Sequence, residues 1–126
     1  MKNVVLFGCL IFVISCKKES QEAFGQPNPK EVSQTPEQLG KTIFEGKGNC
    51  VACHRIDEKL VGPSVQDIAK IYKAQNGDIV SFLKDDAKPI VDPSQYEVMK
   101  TNFALTKVMS DEELKGLEAY MYSDFK

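Results

Sequence analysis

Cys50-Val51-Ala52-Cys53-His54 is the stretch on which the reading of this chain turns. Two thiols stand three residues apart and an imidazole follows directly. That spacing lets both thiols add to the two vinyl groups of one haem and sets the histidine beneath the iron as an axial ligand. CxxCH therefore reads as a site of covalent c-type haem attachment. Two other chemistries use paired cysteines. A thioredoxin-like redox pair needs a preceding strand and a βαβ pattern, whereas the residues before Cys50 have helical spacing. A structural zinc site needs four ligands from Cys and His. Here only Cys50, Cys53 and His54 are at hand besides carboxylates, and the adjacent Cys53 and His54 converge poorly on one small ion.

The rest of the chain bounds what can surround this motif. There are 126 residues, with 16 basic against 18 acidic side chains and a net charge of -2. That length suits one compact domain with a short appendage. A near-neutral balance disfavours binding to nucleic acid. The apolar content of 42% is that of an ordinary soluble domain. Four cysteines would permit a disulfide framework of the kind found in small secreted folds, but Cys9 and Cys16 lie far from Cys50 and Cys53. A single histidine excludes any site that needs two imidazoles from this chain.

The front of the chain has its own character. Lys2 precedes an apolar run from Val4 to Ile14. The run is shorter than the roughly 20 residues a membrane-spanning helix needs, and it has the length of a signal-peptide core. Val13-Ile14-Ser15-Cys16 resembles a bacterial lipobox, in which the cysteine is lipidated and becomes the first mature residue. Leu6-Phe7-Gly8-Cys9 is a second such string, but too little apolar chain precedes it to engage export machinery. The expectation is a lipoprotein-type signal peptide over residues 1–15, with Cys16 as lipid anchor and Cys9 discarded. Residues 16–34 are rich in Lys, Glu, Gln, Ser and Pro, which is the composition of a flexible linker. The haem domain then occupies residues 35–126, held on the periplasmic side of a bacterial membrane.

Helical signals fill that domain. Thr35-Pro36-Glu37 reads as an N-cap followed by proline at the first helical position. The helix is expected over about Pro36 to Lys47, with Leu39, Ile43 and Phe44 on one face and Gly46-Lys47-Gly48 ending it. Ser110-Asp111-Glu112-Glu113 is a capping box with acids in the first turn. It opens a helix to about Tyr122 with the apolar stripe Leu114, Leu117, Tyr120 and Met121. Ser64 to Lys73 and Asp78 to Lys84 read as short helices. Residues 85–98, with Pro89 and Pro93, read as a wrapping loop. No strand or internal repeat is evident, so the fold class is all-α.

Together, residues 35–124 resemble class I, mitochondrial-type monohaem cytochrome c domains of the small bacterial type. The resemblance implies a cytochrome c fold of three to five helices around one covalent haem c, with the first and last helices crossing. In that family a glycine on the first helix admits an aromatic side chain of the last. Gly40 and Phe44 against Leu117 and Tyr120 suit that arrangement. Gly62-Pro63 follows His54 where the family places a proline whose carbonyl accepts a hydrogen bond from the ligand histidine. A simple turn is the plainer account of Gly-Pro.

With His54 committed, the sixth iron ligand is not a second imidazole of this chain, and methionine is the usual alternative. Met109 precedes the N-cap Ser110 in a hydrophobic-staple position against Leu114, and Met121 lies on the packed face of the last helix. Met99 belongs to neither, which makes it the leading candidate, with Met109, a lysine or an open site as the alternatives. It follows His54 by 45 residues, as in small bacterial members of the family. Asn102 resembles a position able to hydrogen-bond near the methionine sulfur, though a solvated loop asparagine accounts for it equally. Two departures stand out. Lys100-Thr101 replace the proline that often follows the ligand, and the chain has no tryptophan, a frequent partner of a haem propionate. No replacement is evident from the sequence, and Tyr96 and Lys88 are near enough along the chain to be proposed.

The function implied is single-electron transfer between redox protein partners by a monomer, with no catalytic residues and no enzyme activity. The alternative is a haem enzyme or gas-ligand sensor with an open or labile sixth position, for which no second histidine is present as a distal group. Lys41, Lys47, Arg55, Lys59, Lys100 and Lys107 flank the motifs, either as solvated side chains or as a basic docking rim.

Overall fold

Thr35 opens the first helix by an exchange of hydrogen bonds. Its hydroxyl accepts from the Gln38 N–H at 3.3 Å, and the Gln38 side chain accepts from the Thr35 N–H at 3.1 Å. With Pro36 at the first position, the orphan N–H groups of this end are largely accounted for. The computed structural model describes residues 34–123. The expected signal peptide, Cys16 and the linker as far as residue 33 lie outside the described residues.

Helix α1 spans Pro36–Glu45, two residues short of expectation, because Gly46 and Gly48 turn their N–H groups back onto its last carbonyls. The last helix, α6, spans Asp111–Met121, with the Ser110–Glu113 capping box in place. These two helices cross at a contact that only glycine permits. A Cβ on Gly40 would stand 1.9 Å from the Gly116 carbonyl oxygen and 2.7 Å from the Tyr120 Cβ. Beside that crossing, the Phe44 and Tyr120 rings meet edge to face, with centroids 5.3 Å apart. Ile43, Phe44, Leu114 and Leu117 are all buried there. Such burial is worth roughly 1.5–3 kcal/mol per large apolar side chain and holds the two helices together.

Between them, α2 spans Val65–Gln75 and α3 spans Ile79–Leu83, with Ser64 and Asp78 as their N-caps. The chain beyond α3 corrects the sequence reading. Residues 85–98 are not a plain loop. They contain a single 3-10 turn, Pro93–Gln95, and most of α4, Tyr96–Lys100. A further helix, α5, spans Phe103–Thr106. Six α-helices are therefore present among the described residues, where three to five were expected. Pro93 sits at the first position of its turn, where a missing N–H costs nothing, so it starts helical structure instead of breaking it. Helices of four and five residues are too short to show a hydrophobic period or to persist alone. They are held by packing. The Phe82, Tyr96 and Phe103 rings form one cluster joining α3, α4 and α5, and the buried Thr106 hydroxyl donates to the Leu83 carbonyl at 2.6 Å.

Candidate haem site

Local backbone geometry gathers the CxxCH side chains. Asn49 takes a left-handed conformation, φ 52°, and turns the chain out of the α1 terminus into a 3-10 turn over Cys50–Ala52. The Cys53 and His54 N–H groups both donate to the Cys50 carbonyl, at 3.1 and 2.9 Å. This turn sets Cys50, Cys53 and His54 along one cleft. Both thiols are free, and burial pushes the Cys50 thiol up to about 11, so it is protonated at neutral pH.

The histidine is held in one orientation. His54 Nδ1 lies 2.7 Å from the Pro63 carbonyl oxygen. A carbonyl can only accept, so Nδ1 carries a proton, and it is Nε2 that has the lone pair in this tautomer of the imidazole. Gly62 leaves room for the ring. A Cβ there would stand 2.4 Å from His54 Cε1. The Gly62 N–H in turn donates to the Cys53 carbonyl at 2.9 Å, which ties this segment back to the motif.

The walls of the cleft are mainly apolar: Ile68 and Tyr72 from α2, Ile79 and Leu83 from α3, and Ile90 from the segment that follows. Burial pushes the Tyr72 phenol up to about 12, so it stays neutral. Met99, half-buried on α4, lines the cleft as well. Its place in a helix differs from the loop setting expected for it. Met121 lines the same cleft from α6 while also packing in the core, so its core position does not keep it away from the site. Met109 packs on the core and is not among the lining residues.

Asn102 lines the cleft, and its side-chain amide donates to the Gly48 carbonyl at 3.1 Å, across from the CxxCH turn. The Tyr96 ring lines the cleft while its hydroxyl donates to Asp85 at 2.8 Å. Lys88 is exposed and does not line it. Among the basic residues flanking the motifs, Lys41, Lys47, Lys59 and Lys107 are paired with Glu45, Glu113, Asp92 and Asp85. That pairing lowers the net charge any basic rim would present. Sequence reasoning missed Asp85 and Gly116. Neither belongs to a local motif.

These residues fit a haem better than a bare ion. The donor set is two free thiols, one oriented imidazole and a thioether spread along an apolar cleft. Among the described residues, no group of three His, Cys, Asp or Glu side chains converges to hold a metal ion alone.

Known proteins agree with that chemistry. Residues 37–123 match the family described as cytochrome c. The chain is 47% identical over 49 residues to cytochrome c-551 of Pseudomonas denitrificans, covering 39% of this chain and 57% of that one. It is 49% identical over 37 residues to cytochrome c-551 of Pseudomonas aeruginosa, covering 29% and 35%. With cytochrome c-552 of Nitrosomonas europaea the identity is 43% over 42 residues, covering 33% and 40%. The similarity thus spans from about a third to just over half the length of these relatives. The family match covers most of the chain, and the all-α fold agrees with it: the chain belongs to the cytochrome c family, which implies one covalently bound haem c, with Cys50, Cys53 and His54 in the CxxCH spacing of its attachment.

Proposed function

We propose that this protein is an electron carrier, in which Cys50 and Cys53 would hold haem c through thioether links and His54 and Met99 would be the protein donors to its iron. The observation that supports this most is that all four side chains line one apolar cleft. Haem c, when bound, supplies one-electron exchange between ferrous and ferric iron. The residues of the chain set the conditions for it. Pro63 keeps the proton on His54 Nδ1, which orients the ring and strengthens Nε2 as a donor. Met99 offers a neutral, soft thioether, and a His/Met pair raises the potential. Ile68, Ile79 and Leu83 exclude water from the cleft and so favour the less charged, reduced state. If His54 and Met99 both held the iron, the protein would leave no open position for a substrate, which is the basis for reading the chain as a carrier and not an enzyme.

The partners would be other redox proteins meeting the open side of the cleft. Val61 and Val98 line it while remaining 46% and 49% exposed, an apolar rim suited to brief contact over a small interface. No helix among the described residues is long and apolar enough to cross a membrane. The exported location, the signal peptide over residues 1–15 and the lipid on Cys16 rest on the sequence pattern at the front of the chain, and the monomeric state is part of the same proposal.

One purified preparation tests the reading. Mass spectrometry should find a haem adduct on the peptide with Cys50 and Cys53, and a lipid on Cys16. The oxidised protein should show the weak long-wavelength band of methionine bound to ferric iron, and Met99→Ala should abolish it. A band that survives Met99→Ala removes Met99 from the site. A ferric protein that lacks the band and takes up external ligands freely favours the sensor or enzyme alternative.

A further inference from the structure

Asp85 has a φ of 66°, in the left-handed region. It directly follows Lys84, the C-cap of α3. Its N–H donates to the Phe82 carbonyl at 3.0 Å, and the Asp86 N–H donates to the Ser81 carbonyl at 2.9 Å. This pair of bonds is the helix ending in which glycine normally fills the left-handed position, because any Cβ there is strained. An aspartate in that place costs conformational energy that glycine avoids.

The carboxylate it gains is fully engaged. Asp85 Oδ1 accepts the Tyr96 hydroxyl at 2.8 Å, and Oδ2 accepts Lys107 Nζ at 3.3 Å. The Tyr96 hydrogen bond, ahead of the Lys107 contact, holds the carboxyl below the usual carboxylate range, so the acceptor is ionised at neutral pH. Tyr96 is the first residue of α4, and Met99 follows one turn later. The ring of Tyr96 also packs on Phe82 and Phe103, with centroids 6.3 and 6.2 Å away. Helix α4 has only five residues and no side-chain N-cap, so its placement depends on contacts with other elements. Among the described residues, the Tyr96–Asp85 bond is the only hydrogen bond made by an α4 side chain. Lys107 is half exposed, and an ion pair of that kind contributes little. The charge-assisted bond from Tyr96 is the stronger link.

We infer that Asp85 is a positioning residue for the axial methionine: from the strained end of α3 its carboxylate fixes Tyr96, and so holds α4 where Met99 faces the cleft. This inference rests on Met99 as the sixth ligand. It concerns how firmly the ligand is presented, and it goes beyond which residue the ligand is.

The test uses the oxidised holoprotein and imidazole as a competitor for the sixth position, read by loss of the methionine–iron band. Asp85→Gly suits the left-handed turn and should unfold at a temperature no lower than Asp85→Ala. It should nevertheless bind imidazole about tenfold more tightly than the unaltered protein, the equivalent of one hydrogen bond to a charged group. Tyr96→Phe should give the same gain, and the double variant should add nothing further, since both remove one interaction. Asp85→Asn tolerates the turn and still accepts the hydroxyl, but through a neutral and weaker bond, so it should restore part of the resistance. Imidazole affinity in Asp85→Gly within about twofold of the unaltered protein overturns the positioning role, as do fully additive effects in the double variant. Met99→Ala is the control that separates the two readings. If the band survives in it, both the ligand reading and this one fall; if the band is lost there and Asp85→Gly binds imidazole normally, only the role of Asp85 falls.

Discussion

The Pro63 carbonyl accepts the His54 Nδ1–H at 2.7 Å, and it does so because the residue before it, Gly62, has no side chain to push the imidazole away. The orientation of the proposed iron ligand therefore depends on two backbone features of its neighbours.

That relationship predicts unequal effects at adjacent positions. Gly62→Ala puts a Cβ 2.4 Å from His54 Cε1, so the ring must shift. Overpacking of this kind costs about 1–3 kcal/mol, and the shifted ring should also alter the reduction potential of the holoprotein. Pro63→Ala keeps the accepting carbonyl and should leave the potential nearly unchanged. Calorimetry and potentiometry on the two variants check both statements. Equal potentials in Gly62→Ala and the unaltered protein would count against the link between ring placement and this glycine.

The crossing of α1 and α6 is similarly intolerant. In Gly40→Ala the new methyl would lie 1.9 Å from the Gly116 carbonyl oxygen, an obstacle of rigid backbone and not a movable side chain. The helices must separate, and the loss should reach or exceed the roughly 1–3 kcal/mol typical of overpacked cores. Lys41→Ala, on the exposed side of the same helix, should change stability by no more than about 0.5 kcal/mol. Thermal unfolding of the two holoproteins gives the comparison.

Two methionines line the cleft, and the proposed ligation assigns them different fates. Met121→Leu should retain the long-wavelength ferric band and cost less than about 1.5 kcal/mol as a volume-conserving swap. Met109→Leu should also retain it. Met99→Ala should lose it. Loss of the band in Met121→Leu would move the sixth ligand from α4 to α6.

Acid should destabilise the fold with a definite sign. Backbone and side-chain bonds from Ser81 lower Asp78, while Lys84 lowers Asp111 and Lys47 lowers Glu113. A carboxylate whose pKa is lower when folded contributes fully above its unfolded value of about 4, and loses that contribution as the pH falls through the folded value. Burial raises Glu118 instead, so protonation there acts in the opposite direction. The lowered carboxylates, which also include Glu37, Asp85 and Asp92, outnumber it, and the unfolding temperature should fall steadily below about pH 4. Asp78→Asn keeps a capping oxygen without a titrating one, so its curve should be flatter than that of the unaltered protein.

Part of the architecture is legible in short stretches of sequence. Thr35 and Ser110 mark the starts of α1 and α6, because a cap is a local exchange of hydrogen bonds between residues three apart. The apolar stripes name Ile43, Phe44, Leu114 and Leu117 as core, and all four are buried. Helices α4 and α5 are not legible in this way. Their few residues carry no period, and Pro93, a loop signal by its residue type, starts a turn in the fold. The partners of Asn102 and Tyr96 are hidden as well. Asn102 reaches Gly48, 54 positions away, and Tyr96 reaches an aspartate that nothing in its neighbourhood along the chain distinguishes from a surface acid.

The division follows the range of the forces involved. The sequence alone pointed to the attachment chemistry, since Cys50, Cys53 and His54 stand within five consecutive residues in the CxxCH spacing. It also determined the two capped helices at the ends of the domain and the exclusion of a second histidine ligand. The tertiary structure decided which side chains meet across the cleft: Met99 from a short helix, Met121 from the core, and apolar walls from α2 and α3. Those meetings depend on how α1 and α6 cross at Gly40 and Gly116 and on how Asp85 ties α4 in place. Contacts between distant segments arise from packing, and no spacing along the chain encodes them.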